Sequence, residues 1–406
     1  VNALSTLTQK LSSEFGEAHP IIVDGLLGSG FSGDDLDPDM ARALEWATSL
    51  RHAAVLAVDC PSGLRSDDTS RDRARLAATR TLTFGAKRLC HVAGEAREFC
   101  GQVDVHDPGF PPQARAQAKS RLRETRNDAL RAIAPWNFLP GHANKYDRGH
   151  VLVIGGSPGK TGACWLCGLA ALRGGAGWAS LAVPPGLAQV RGEAPPPELV
   201  FEDLGGKFEK LGDFLQARKV RTVVIGPGAT SNPLDRKGWS ILASFTQAGG
   251  GLVIDAGATH DLAALTDGLS FQRTVVTPHP GEWLRIGGLP KPETLDAILA
   301  VAQRTNLTGM TLIHKNATPI FWGLAQDPIV VGSEGTKILA RAGSGDVYAG
   351  LVAAHLTAGM DAMTSALRTW AVLTHAAQQA AREFGSESVL ASDLTIAAGR
   401  LMNPQN

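Results

Sequence analysis

The sequence predicts an α/β protein built from two parallel-sheet domains, and three observations carry that expectation. Short apolar runs alternate with helical stretches along most of the chain, the pattern of βαβ units. Several of those runs, VLVI at 151–154 and the LVI of LVID at 252–255 among them, are apolar throughout rather than at alternate positions, which marks strands covered on both faces. Between the two series lies DPGFPPQARAQAKS at 107–120, without an apolar period and rich in Pro, Gln and Ala, as a linker is. The expected division is therefore a domain at 1–108, a linker at 109–125 and a second domain at 126–406.

The first domain opens with the strand Ile21 to Asp24, followed by the glycine loop GLLGSGFSG and a helix from Pro38 to Leu50. Strands at Val55 to Asp59, Thr79 to Phe84 and Gln102 to Val105 continue the sheet. In the second domain a strand at Val151 to Ile154 leads through a glycine turn to a helix at 162–173 and a strand at 178–183. Further strands fall at Thr222 to Ile225, Leu252 to Asp255, Thr274 to Thr277 and Thr311 to His314. Helices at 346–358, 361–381 and 392–402 close the chain. A parallel sheet covered on both sides takes its ligands beyond the carboxyl ends of its strands, where Gly155, Gly226, Asp255, His279 and Lys315 fall.

Composition narrows the partner. The 406 residues carry 39 Lys+Arg against 39 Asp+Glu, and 44% are hydrophobic, so the chain forms large cores and is not a disordered tail. No basic block answers a phosphate backbone, no run reaches the roughly 18 apolar residues of a membrane span, and the start VNALSTLTQK has no signal core. A small-molecule partner and a cytoplasmic address follow as expectations, with no nucleic acid and no membrane. Five scattered cysteines do not make a disulfide framework, which suits a reducing compartment. A closed homo-oligomer is the common state for such an enzyme.

Among the chemistry-bearing segments the sharpest is AGSGD at 342–346, at the start of a helix. Small residues there let several N–H groups face one point, and the helix dipole adds positive potential, which makes an anion hole. Asp346 beside it can take a proton from an attacking hydroxyl; the plainer alternative is a helix cap. VTPHPGE at 276–282 leaves a strand into a loop stiffened by two prolines, presenting His279 and Glu282 to a ligand or, equally in kind, to solvent. GGSPGKTG at 155–162 nearly spells a P-loop, but that spacing needs glycine at 154, where Ile154 stands. It remains a backbone cradle, with Ala163 at the following helix start, as does GPG at 226–228. Cys164 and Cys167 form C-x-x-C within small apolar helix residues, a packing pair rather than a redox or metal pair. In the first domain Asp24 and Asp59 end neighbouring strands before glycine loops, where they can hold a cation or ribose or cap helices.

Taken together, KYDRGHVLVIGGSPG at 145–159, GGAG at 174–177, VPP at 183–185, IGPG at 225–228, TPHPGE at 277–282 and GSGDVYAG at 343–350 resemble the bifunctional NAD(P)H-hydrate repair enzymes. That family pairs a Rossmann-like NAD(P)HX epimerase domain with a ribokinase-like, three-layer α/β/α dehydratase domain. The resemblance implies dehydration of (6S)-NADHX or (6S)-NADPHX at the expense of ADP or ATP with Mg2+. It places the hydrated nucleotide against Ala163, Gly228, His279 and Asp346, with Asp346 as base. The adenine nucleotide falls against Lys315, Asn316, Ala317, Thr318 and Pro319 and against Gly343, Ser344 and Gly345. Two segments depart from the family: GTKILARAG at 335–343 for G-N-P-G-M-A-T-G-G, and KNATP at 315–319 for K-G-A-x-T. IIVDGLLGSGFSG, AVDCPSGL and TLTFGAKR resemble the epimerase domain, which implies Asp24 and Ser62 as K+ ligands and Gly28 to Asp34 with Asp59 at the substrate. The epimerase segment G-N-N-G-G-D is not found, so that domain is expected to be partial, with epimerase activity weak or lost. The alternatives are a ribokinase-like small-molecule kinase and a non-catalytic nucleotide binder.

Overall fold

The computed structural model describes residues 21–33, 36–50, 53–71, 76–118, 120, 122–126, 144–183, 196–205, 208–260, 262, 268–270, 272–286, 288–304, 309–323 and 328–402. Asp34, Pro184 and Pro185, named above, lie outside them. The chain forms two compact units, Val1–Ser120 with Pro292–Leu299, and Arg121–Lys291 with Ala300–Asn406.

The first unit runs β1 (Ile21–Asp24), α1 (Pro38–Ser49), β2 (Ala54–Val58), β3 (Arg80–Phe84), α2 (Leu89–Val92), β4 (Gln102–His106) and α3 (Pro112–Gln117). Its sheet has the order β1-β2-β3-β4, every pair parallel, with Ile22 opposite Val55 and Thr81 opposite Val103. Helix α1 starts sharply because the Asp37 side chain accepts from the Asp39 and Met40 N–H groups and Pro38 needs no partner for a missing N–H. Leu44 and Ala47 of that helix pack with Val55 and Ala57 of β2. The segment 292–299 belongs to this unit through Thr69 N–H to Glu293 O and Leu295 N–H to Asp67 O, 2.8 and 2.9 Å. The single cut expected from composition therefore does not describe the chain's clustering.

The second unit holds a ten-stranded sheet. Its strands are β5 (Leu122–Thr125), β6 (His150–Ile154), β7 (Trp178–Ala182), β8 (Val200–Phe201), β9 (Val220–Ile225), β10 (Gly251–Ile254), β11 (Thr274–Val276), β12 (Thr311–His314), β13 (Ile320–Trp322) and β14 (Ile329–Gly332). They lie in the order β5-β14-β13-β12-β11-β10-β9-β6-β7-β8. The expected all-parallel sheet needs correction at β13, which runs antiparallel to β12 and β14 because too few residues separate the three for a crossover helix. The 109–125 linker also departs from expectation: it carries α3 and β5, and β5 pairs with β14 in register Leu122 to Ile329.

Helices α4 (Lys145–Arg148), α5 (Thr161–Arg173), α6 (Leu211–Ala217), α7 (Arg236–Gln247), α8 (Pro280–Trp283), α9 (Leu295–Gln303), α10 (Ser344–Thr357), α11 (Ala362–Phe384) and α12 (Ala391–Met402) complete the described elements. Helix α10 is buried on all sides from Val347 to Thr357, as expected of a helix without a polar face. Its close approach to α5 requires a missing side chain: a Cβ at Gly350 would stand 2.1 Å from the Cys167 carbonyl oxygen. Cys164 and Cys167 are fully buried in this contact, and burial pushes both thiols up, so the C-x-x-C pair packs rather than reacts. Among the described residues no helix is long and apolar enough to cross a membrane.

Candidate functional site

A cavity of about 670 Å3 opens at the carboxyl ends of β10, β11 and β12. Asp255 follows β10, His279 and Glu282 belong to the loop and short helix after β11, and Lys315 follows β12. The far wall is the segment 335–345 running into the first turn of α10, while Phe321 of β13 and Trp370 and Leu373 of α11 form an apolar floor. This is where the open end of a parallel sheet meets a helix N-terminus.

Lys315 Nζ donates to Asp255 Oδ1 at 2.6 Å, and the Thr277 hydroxyl donates to the same oxygen at 2.6 Å. Asp255 is nearly inaccessible, its side chain 3% exposed against 20% for Lys315. Burial alone would lower the Lys315 pKa, but the carboxylates of Asp255, Glu282 and Asp346 outweigh it and hold the ammonium above its ordinary value. A Cβ at Gly345 would stand 3.3 Å from Lys315 Nζ, so the ammonium sits against the start of α10. The first turn of any helix leaves its N–H groups without intrahelical acceptors. Here that turn is Ser344, Gly345 and Asp346, reached through Gly343 at φ 92°, a left-handed conformation glycine adopts without strain. The Ser344 hydroxyl donates to the Leu339 and Arg341 carbonyls at 2.8 and 2.9 Å.

Asp346 has its carboxyl pushed up to about 7, first by burial and then by Asp255 and Glu282, with Lys315 opposing. A carboxylate that gains its proton near neutral pH suits a general base. His279 is more constrained than its loop position suggested. Its Nδ1 accepts from the Gly281 and Glu282 N–H groups at 2.9 and 3.3 Å, capping α8, and its Nε2 lies 3.1 Å from Glu282 Oε1. Both ring nitrogens are thus engaged, and the half-exposed ring offers its face to the cavity.

The structure therefore gathers Lys315, Asn316, Ala317, Pro319, His279, Gly343, Ser344, Gly345 and Asp346 around one cavity. Thr318 is buried and lies behind the wall rather than in it. Ala163 and Gly228 are outside the lining too and pack against each other in the neighbouring strand-end turns, where a Cβ at Gly228 would meet the Ala163 methyl at 3.1 Å. Those turns are tied by Gly156 N–H to Pro227 O, 2.8 Å, and Ser157 hydroxyl to Gly228 O, 2.7 Å. Phe321, Trp370, Leu373, Lys337 and Arg341 line the cavity without having been singled out; no local signal separates the three apolar ones from core.

In the first unit, Asp24 and Ser62 are buried and adjacent: the Ser62 N–H and hydroxyl donate to the two Asp24 oxygens at 2.7 and 2.6 Å. Asp59, at φ 67°, accepts from Ser29 N–H and the Thr83 hydroxyl at 2.9 and 3.0 Å, and a Cβ at Gly28 would lie 3.4 Å from its Oδ2. Burial pushes the Asp59 pKa upward, but these bonds and Arg88 outweigh it and leave it lowered. The expected first-unit residues thus form two neighbouring strand-end clusters.

The family model of NAD(P)H-hydrate dehydratases matches residues 151–398, and that of the YjeF-related protein N-terminus matches 2–90. The bifunctional NAD(P)H-hydrate repair enzyme of Moorella thermoacetica is 30% identical over 390 residues, covering 92% of this chain and 71% of the relative. That of Escherichia coli K12 is 29% identical over 396 residues, covering 96% and 73%. Among solved structures, a ribokinase-like superfamily protein of Enterococcus faecalis superposes with TM-score 0.57 at 20% identity, covering 70% of this chain and 96% of that one. The ADP/ATP-dependent NAD(P)H-hydrate dehydratase of Bacillus subtilis, co-crystallised with ATP/Mg2+, gives 0.53 at 22% identity, covering 68% and 95%. These two likenesses show the ribokinase-like fold of the second unit.

Proposed function

The chain belongs to the family of bifunctional NAD(P)H-hydrate repair enzymes, and from that premise we propose that its second unit dehydrates (6S)-NADHX and (6S)-NADPHX in the cavity between Lys315 and Asp346, with ADP or ATP as phosphoryl donor. The observation that carries the assignment of the site is the convergence of Lys315, Gly345 and Asp346 on one point at a helix N-terminus.

Asp346 takes the proton of the C6 hydroxyl as that oxygen attacks the donor's terminal phosphorus. The bond from phosphorus to the donor's bridging oxygen breaks, and the first N–H groups of α10 with the Lys315 ammonium balance the charge on the transferred group. Phosphate then leaves C6 with its bonding electrons, the nitrogen lone pair supplies the replacement pair, loss of the C5 proton restores the double bond, and the nicotinamide ring is regenerated. His279 and the apolar floor fix the ring and exclude water. Mg2+ fits the donor set, since Asp255 and Glu282 offer the carboxylate oxygens that ion takes. When bound with the nucleotide it would neutralise phosphate charge, held by those carboxylates. Asp24 and Ser62 are proposed as K+ ligands of the first unit.

The test is recovery of the near-ultraviolet absorbance of NADH from purified NADHX with Mg2+ and ADP, ATP or no nucleotide. Nucleotide-dependent recovery is the expected result. Absence of recovery in folded protein that binds ADP would overturn the dehydratase reading in favour of a kinase or a binder.

A further inference from the structure

A second cavity, of about 650 Å3, lies at the opposite end of the same sheet, where β9 and β10 begin. Val220 and Arg221 open β9, Gly249 and Gly250 precede β10, and α6 and α7 run down to its rim. Its charged lining residues are Lys219, Arg221 and Arg273, and no carboxylate lines it. Three cations converge there, and no ion pair to any of them occurs among the described residues.

The cost of that arrangement is visible at Arg273. Burial, and after it the charge of Arg221, lowers its pKa. Its Nη1 donates to the Gly249 carbonyl at 2.9 Å and its Nη2 to the Leu356 carbonyl, but its buried Nε has no partner among the described residues. Arg221 reaches only a carbonyl, that of Asp147 at 3.1 Å. The carboxyl ends of α6 and α7 supply partial negative charge at the rim, about half a unit per helix, which offsets less than half of three full charges. The rest of the wall is apolar, from Leu215, Ile241 and Phe245, and Ser240 and Ser244 add hydroxyls. A polyanionic head on a body of nucleotide size fits such a cavity, whose volume is in the range of small-molecule sites.

We infer that this cavity is a second ligand site, distinct from the catalytic one, that binds a phosphorylated small molecule through Lys219, Arg221 and Arg273. The two sites share α10. Arg273 holds the carbonyl of Leu356 near the carboxyl end of that helix, and Asp346 stands in its first turn. A ligand that draws the guanidinium toward itself competes for the bond at one end of the helix that carries the base at the other.

The test is calorimetric titration with inorganic pyrophosphate of three proteins: wild type, Lys315→Met, and Lys315→Met that also carries Lys219→Gln and Arg221→Gln. The two changes added in the last fall on exposed side chains, so folding is expected to survive them, as circular dichroism checks. The expected result is that Lys315→Met still binds pyrophosphate, while the protein that also carries Lys219→Gln and Arg221→Gln loses that binding by about tenfold or more. Binding abolished by Lys315→Met, no further loss on adding Lys219→Gln and Arg221→Gln, or no binding to wild type would each overturn the inference. The readout is binding, so it stands apart from whether the second unit dehydrates NADHX.

Discussion

The Lys315 ammonium and the Asp255 carboxylate stand 2.6 Å apart at the ends of two strands, and the same ammonium abuts Gly345 at the start of α10. Asp255 thereby aims a cation at the point where a helix already concentrates positive potential. Fixing it there before a ligand arrives saves the entropy of ordering a long side chain. The arrangement predicts that Lys315→Met removes a charge-assisted contact to phosphate. Nucleotide affinity, read by titration calorimetry, should fall about tenfold to a hundredfold, the 1.5–3 kcal/mol range of such bonds. The change should also leave Asp255 buried and unpaired, lowering the denaturation midpoint.

Asp346 makes the opposite prediction for binding. It touches the reacting hydroxyl rather than the nucleotide's own contacts, so Asp346→Asn should lower kcat by about a thousandfold or more while the nucleotide Kd moves by less than about fivefold. A protein that only binds nucleotide has no turnover to lose. Measuring kcat and Kd on the same variant separates the two.

The pH dependence follows from the same carboxyl. With its pKa pushed up to about 7, Asp346 is a carboxylate only above neutrality, so kcat should rise with pH through about 7 and level off. For stability the sign is reversed. The folded state holds this proton up to about 7 and the unfolded chain releases it near its ordinary value of 3.8, so stability falls as pH climbs between those values. Asp346→Asn carries no such charge, and its urea midpoint should exceed that of wild type by more at about pH 8 than at about pH 5. An equal difference at both would show that the carboxyl is not raised. Lys315, held above its ordinary value, stays charged across this window.

Much of this site was legible before any coordinates because its polar members sit where apolar strands stop. Asp255 ends LVID, His279 follows the strand at 274–277, and Lys315 follows TLIH, so the boundary between burial and polarity marks them. Phe321, Trp370 and Leu373 carry no such mark; in sequence they are ordinary core residues, and only the fold brings them beneath the cavity. The antiparallel β13 and the edge strands β5 and β8 were missed for a related reason. β8 has two residues and β13 three, and LRET in β5 has no apolar run, because an edge position is covered on one side only. Thr318 came with the KNATP segment that the resemblance sets against the adenine nucleotide, yet it is buried and outside the cavity lining. His279 was read as presented by a stiffened loop to a ligand or to solvent; its added part as the cap of the short helix after it carries no mark in the sequence.

The turn after β9 offers a prediction that tests the backbone rather than a side chain. Gly226 has φ 114°, a conformation closed to residues with a Cβ, and a Cβ placed there would fall 1.8 Å from the carbonyl oxygen of Asp255. Nothing flexible stands in the way that could yield; the obstacle is main chain at the head of the catalytic cavity. Gly226→Ala must therefore displace Asp255, and with it the ion pair to Lys315, besides bearing the strain of its own backbone. The expected outcome is a loss of about 2–4 kcal/mol in stability together with weakened nucleotide binding. Gly359→Ala is the control, since that glycine also has a positive φ, 96°, but meets nothing within 4 Å. It should lose about 1 kcal/mol and keep its nucleotide affinity. If Gly226→Ala behaves like Gly359→Ala in both denaturation and titration, the turn is not what holds Asp255 in place.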